Sequence, residues 1–162
     1  MQRRPRLLLA AGVVLLVLAG VMAWWQSSDP EPLPVSDQVI SASTPVDQPV
    51  YVGVFTADAD FGRTLRLSGV KVHATSNTDI SLTPLLCRGG RFVQTTDPGV
   101  FCRVLTNPEG EDFGPGDGIV LQIVSDEPAV AVVDRVELAF RENLRWATRP
   151  AGAETVVRVL PR

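Results

Sequence analysis

Cys87 and Cys102 are the only cysteines of the chain, and His73 is the only histidine. An even number of thiols in a segment lying outside the membrane reads as a disulfide. Closing a loop of about 15 residues in this way stabilises a small domain by about 3 kcal/mol in the chain-entropy picture. A redox pair would need C-x-x-C spacing or a neighbouring base to lower a thiol pKa, and neither is present. Two cysteines and one histidine supply too few N and S ligands for a structural zinc site. His73 alternates with Val72 and Ala74, which puts it on the face of a strand opposite the apolar set. An exposed histidine is the expectation, and no G-x-S-x-G elbow or marked-out serine gives it a nucleophile to activate.

Carboxylates gather in two places: Asp58 and Asp60, then Glu109, Glu111, Asp112 and Asp117 around a glycine-rich run. Extracytoplasmic modules bind calcium weakly through such loop oxygens, so Asp58, Asp60, Glu111, Asp112 and Asp117 are weak calcium candidates, or else solvated turns. The EF-hand pattern is absent. A glycosidase would need two carboxylates held at a fixed separation across a cleft, which spacing alone does not give. The run Gly114, Pro115, Gly116 and Gly118 lacks the lysine and Ser or Thr of a phosphate-binding loop, and is expected to build a tight, hairpin-like turn.

Arg141, Arg145 and Arg149 surround Trp146. This basic patch is a candidate surface for an acidic protein partner or an anionic envelope polymer. The alternative is a solvated strand face with Trp146 packed in the core or at a corner. The chain carries net charge −3 and only one lysine, Lys71, so nucleic-acid binding lacks its usual electrostatic basis. No cofactor motif is recognised.

These residues sit on short runs of Val, Leu and Ile divided by Gly, Pro, Asn and Asp, which is the punctuation of strands. Val50, Val52 and Val54 alternate with Tyr51, Gly53 and Phe55. The apolar register changes from Leu65 and Leu67 to Val70 and Val72, and a β-bulge or break at Gly69 would account for it. Further strands are expected at 80–86, 100–105, 119–124, 130–140 and 155–160. Residues 133–147 fit helical and strand periodicity alike, and their β-branched content favours strand.

Ahead of this domain, residues 7–25 are apolar and uncharged, preceded by Arg3, Arg4 and Arg6 and closed by Trp24 and Trp25. A helix of about 20 residues matches the hydrocarbon core, with indoles at the interface and arginines on the cytoplasmic side. The expected organisation is a cytoplasmic segment 1–6, a transmembrane helix 7–25 in contact with lipid, a proline-rich extracytoplasmic linker 26–49 and a β-sandwich domain 50–162. The apolar run exceeds the usual signal-peptide core, and cleavage beside Trp24 would be unusual, so a retained anchor is preferred over a removable signal. Within the linker, Val39 and Ile40 are the residues that would pack on the domain if part of it formed an edge strand.

The tether, the cysteine pair, the turn-rich centre and the final run Val133 to Trp146 resemble an immunoglobulin-like module of a bacterial envelope protein. The resemblance implies an all-β antiparallel sandwich that binds or scaffolds. The chain departs from true immunoglobulin domains in its short cysteine spacing and in lacking a tryptophan between the cysteines. Fourteen arginines against one lysine suit a GC-rich bacterial genome. The expected function is a non-enzymatic, single-pass plasma-membrane protein whose exterior domain binds another protein or a cell-wall component. An accessory subunit of a membrane complex and an enzyme of unknown reaction are the alternatives.

Overall fold

The structure is a computed structural model that describes residues 16–22 and 30–162. It divides into two units, Met1–Glu31 and Pro32–Arg162. In the first unit residues 16–22 are helical, and Leu16, Val17, Leu18, Val21 and Met22 are each at least 50% exposed. The rest of the expected span 7–25, and the segment 1–6, lie outside the described residues. Among those described, no helix is long and apolar enough to cross a membrane.

The second unit is built of strands: β1 (Val35–Pro45), β2 (Val50–Thr56), β3 (Leu65–Lys71), β4 (Ala74–Ser76), β5 (Ser81–Arg88), β6 (Gln94–Thr95), β7 (Val104–Thr106), β8 (Asp112–Phe113), β9 (Gly118–Val124), β10 (Ala129–Val133), β11 (Val136–Glu142) and β12 (Arg145–Leu160). One sheet has the order β6-β2-β9-β5-β7. In the other, β12 pairs along its length with β11 and then β10, these pair in turn with β3 and β4, and β8 closes the far edge. All pairs are antiparallel except one: β1 lies parallel to β12, from Val35 opposite Gly152 to Pro45 opposite Leu160. The inward faces meet in one core, with Val52, Leu86 and Leu121 from one sheet and Leu65, Leu138 and Val157 from the other. Phe55, Phe61 and Phe113 fill one end, with ring centroids 5.4 to 6.3 Å apart.

Part of the expected linker 26–49 is instead the strand β1, which corrects that boundary; the alternative of an edge strand at Val39 and Ile40 is what forms, with Ile40 packed against the core and Val39 53% exposed. Residues 30–49 do not form a free tether, because Leu33, Ala42 and Thr44 are buried in the domain, and residues 26–29 lie outside the described residues. Pro45, the last residue of β1, is tolerated because β1 is an edge strand with a single partner and needs no second ladder of N–H donors. The bulge expected at Gly69 is present: Leu67 opposes Phe140 and Gly69 opposes Ala139, leaving Ser68 as the extra residue. The expected strand 130–140 is interrupted into β10 and β11. Residues 133–147 are strand and turn, closed at Asn143, which adopts a left-handed φ of 55°.

β12 changes neighbours at Gly152. There φ is +73°, a conformation only glycine enters freely, and a Cβ would run into the Val54 carbonyl oxygen of the facing sheet. Gly152 therefore lets the two sheets approach closely where β12 bends.

Candidate functional site

The disulfide joins Cys87 at the end of β5 to Cys102, with Cα atoms 5.2 Å apart. Cys87 points away from the main core, on the outer side of the β2–β9–β5 sheet. The chain between the cysteines lends β6 to the edge of β2, turns through a short 3-10 segment at Pro98–Val100 and returns to pair β7 with β5. This flap crosses the outer face of β9 and buries Val120 beneath Cys87, Cys102, Tyr51, Phe92 and Leu105. A second small core is thus stapled onto the sandwich, which is the structural use of the cysteines.

At the end of β5 beyond this staple opens a cleft of about 730 Å³, bounded by the β2–β3 loop, the Gly89–Gly90 turn and the β8–β9 connection. Three arginines line it: Arg88, Arg91 and Arg103. Arg88 donates to Glu111 Oε2 (2.7 Å) and Asp117 Oδ2 (3.0 Å), and Arg91 donates to Asp58 Oδ1 (2.9 Å). Asp117 also accepts the Gly114 N–H at 3.1 Å, so its carboxylate fixes the turn as well as the arginine. Arg103 has no ion-pair partner among the described residues. Its side chain lies across Gly89, whose φ is +64°, and a left-handed glycine there keeps the floor of the cleft low.

The five calcium candidates do not converge. Asp58, Glu111 and Asp117 each face an arginine, Asp112 bonds Arg66 at 3.2 Å, and Asp60 stays in the β2–β3 loop. Among the described residues no group of three or more His, Cys, Asp or Glu side chains is arranged to hold a metal ion. Glu109 precedes β8, and the glycines after it form the expected tight turn, closed by the Asp117 N–H on the Gly114 carbonyl at 3.0 Å, but it is not a hairpin, since β8 and β9 belong to different sheets. His73 is exposed on the β3–β4 link, at the end of β3 away from the cleft.

The basic patch divides in two. Arg141 opposes Trp146 across the β11–β12 hairpin, with its guanidinium 5.8 Å from the indole ring. Strand alternation turns Arg145 and Arg149 to the other face, opposite Glu142 and the buried Leu138. Trp146 is 68% exposed, so it is neither core nor corner packing, and Leu144 at the tip is 93% exposed. Arg66 sits next to Arg141 in register, so a row of Asp112, Arg66, Arg141 and Trp146 crosses the outer face.

Sequence reading missed one group altogether. Arg63 donates from Nε to Glu142 Oε1 (2.8 Å), from Nη2 to Oε2 (2.7 Å) and from Nη1 to the Pro32 carbonyl (3.3 Å). It also covers the Phe61 ring at 5.7 Å. The Arg63 hydrogen bonds hold the Glu142 carboxyl below the usual carboxylate range. Arg88, Arg91 and Arg103 were also missed; the available signal was their position beside the two cysteines and the Gly-Gly pair.

The fold is a mostly-β, two-sheet domain with a disulfide-stapled flap. Comparison with protein-family models, with curated proteins and with solved structures returns no match.

Proposed function

We propose that this chain is a single-pass, membrane-anchored extracytoplasmic module of a bacterial envelope, whose immunoglobulin-like sandwich binds an acidic group on a protein or cell-wall partner without catalysing a reaction. The strand order supports the immunoglobulin-like reading. Taking β1, β2, β3 with β4, β5, β9, β10 with β11, and β12 as strands A to G, the sheets are B-E-D and A-G-F-C, close to the division of an immunoglobulin domain. The disulfide, which joins β5 to the flap instead of bridging the two sheets, is the departure. Anchoring is supported by the uncharged run 7–25 behind three arginines and by the exposed apolar side chains of residues 16–22. A disulfide suits an oxidising exterior.

The observation that carries binding is the cleft with Arg103, a guanidinium laid on its floor beside two others already neutralised by carboxylates. Such a site attracts a carboxylate or phosphate and holds it by charge-assisted hydrogen bonds. The test is a photo-crosslinker at Val104 in the full-length protein in cells. An adduct that disappears in R103E supports the reading, whereas no adduct, or one indifferent to R103E, overturns it. Protease added to intact cells is expected to digest the domain; digestion only after the cells are opened would overturn the orientation.

A further inference from the structure

Leu144 and Trp146 are the most exposed large apolar pair of the domain, at 93% and 68%, and they flank the tip of the β11–β12 hairpin. Neither contributes to the core. The hairpin also carries a cationic side chain, Arg141, which lies over the indole; Arg66 of β3 follows in the same register row, paired with Asp112 at 3.2 Å. Apolar and aromatic groups ringed by arginine are the chemistry of a contact with an anionic lipid surface, where the indole takes the headgroup boundary and the guanidinium groups meet phosphate.

The position of the tether selects this occupant over others. One guanidinium, Arg63, binds both the Pro32 carbonyl and the Glu142 carboxylate. The point where the chain enters the domain is therefore beside the hairpin tip. Because β1 belongs to the domain, the connection between Trp25 and Pro32 is seven residue steps long, at most about 25 Å when fully extended. A linker running to residue 49 would have let the domain stand far from the bilayer in any orientation; this one does not.

We propose that the β11–β12 hairpin rests on the same membrane that holds residues 7–25, with Leu144 and Trp146 at the interface of an anionic leaflet and Arg141 against its phosphates. The inference rests on the anchored reading. Its test uses the full chain with W24F and W25F, so that Trp146 is the single indole, reconstituted into phosphatidylglycerol vesicles with and without brominated acyl chains. Bromolipid is expected to quench at least about half of the Trp146 emission, and to quench little in phosphatidylcholine vesicles. L144D should abolish the quenching with unchanged thermal unfolding, because Leu144 packs on nothing. Unquenched Trp146 in protein that stays in the membrane through an alkaline carbonate wash overturns the hairpin contact and leaves the anchor intact. Release of the protein by that wash overturns the anchor and this contact with it. Equal quenching in both lipids overturns the role of Arg141. A crosslinker at Leu144 that captures a protein in cells while Trp146 remains unquenched assigns the surface to that protein instead.

Discussion

Replacing Glu142 with Gln tests whether one ion pair ties the chain entry, the β2–β3 loop and the hairpin together. The carboxylate receives two N–H bonds from Arg63 at 2.7 and 2.8 Å, and the two side chains are 20% and 14% exposed. Hydrogen bonds to charged groups are worth about 1.5–3 kcal/mol where solvent is largely excluded. The amide keeps the shape and one acceptor but loses the charge and strands a half-buried guanidinium, so a loss of about 2 kcal/mol is expected. For a domain of this size that is about 6–10 °C in thermal midpoint. A double-mutant cycle with R63M should return a coupling of about 2 kcal/mol. The pH dependence has a definite sign. The folded pKa lies below the ordinary value near 4.5, so the contribution is complete above that value and is lost as pH falls through the lowered one. The gap between wild type and E142Q should be constant near neutrality and close in acid. A midpoint shift under about 2 °C at neutral pH, or a gap that does not shrink in acid, would refute the reasoning.

C87A/C102A should lose about 3 kcal/mol, as expected for a loop with a separation of 15 residues, and reductant should lower the wild-type midpoint but not the variant's. Gly152→Ala forces a left-handed alanine against the Val54 carbonyl, and about 3 kcal/mol or more of destabilisation is expected in urea unfolding. Thr155 is fully buried and its hydroxyl has no hydrogen-bond partner, so the isosteric T155V should raise stability by about 1 kcal/mol; a loss would indicate a bound water or ligand at that hydroxyl.

How far the fold could be read depended on how much apolar contrast each strand carries. β2 buries Val50, Val52 and Val54, and that alternation was plain in the sequence, whereas Phe55 is buried too because the pairing with β9 shifts register between Gly53 and Phe55. The bulge at Ser68 was legible because a one-residue insertion flips every later side chain to the other face, and Leu67 and Val70 recorded the flip. β1 was not legible. Its inward positions are Ile40, Ala42 and Thr44, only one of them large, and five nearby prolines resemble a linker; what holds it is the long parallel ladder with β12, a non-local pairing that no local pattern encodes. The acidic clusters misled for a related reason. Asp58, Asp112 and Asp117 look like ligands along the chain, yet each meets an arginine 29 to 46 residues distant. The basic patch failed on parity, since Trp146 and Arg145 are neighbours in sequence and opposites on a strand.

The cleft and the hairpin share one end of the sandwich. The β2–β3 loop contributes Asp58 to the cleft and, five residues later, Arg63 to the pair beneath the hairpin. β9 begins there, paired with the ends of β2 and β5 at Gly118, and β3 begins there opposite Arg141. If the hairpin rests on lipid, the arginine-lined cleft opens close to the headgroups, so the acidic group it takes belongs to something held near the bilayer rather than deep in the wall. Inserting about 20 Gly and Ser residues between Gln26 and Pro30 separates the two ideas. It should leave thermal unfolding and Val104 crosslinking to a diffusible partner unchanged, yet weaken crosslinking to a membrane-held one by raising the volume the domain explores. An adduct insensitive to leash length would detach the cleft from the membrane and leave it as a site for a wall or soluble component.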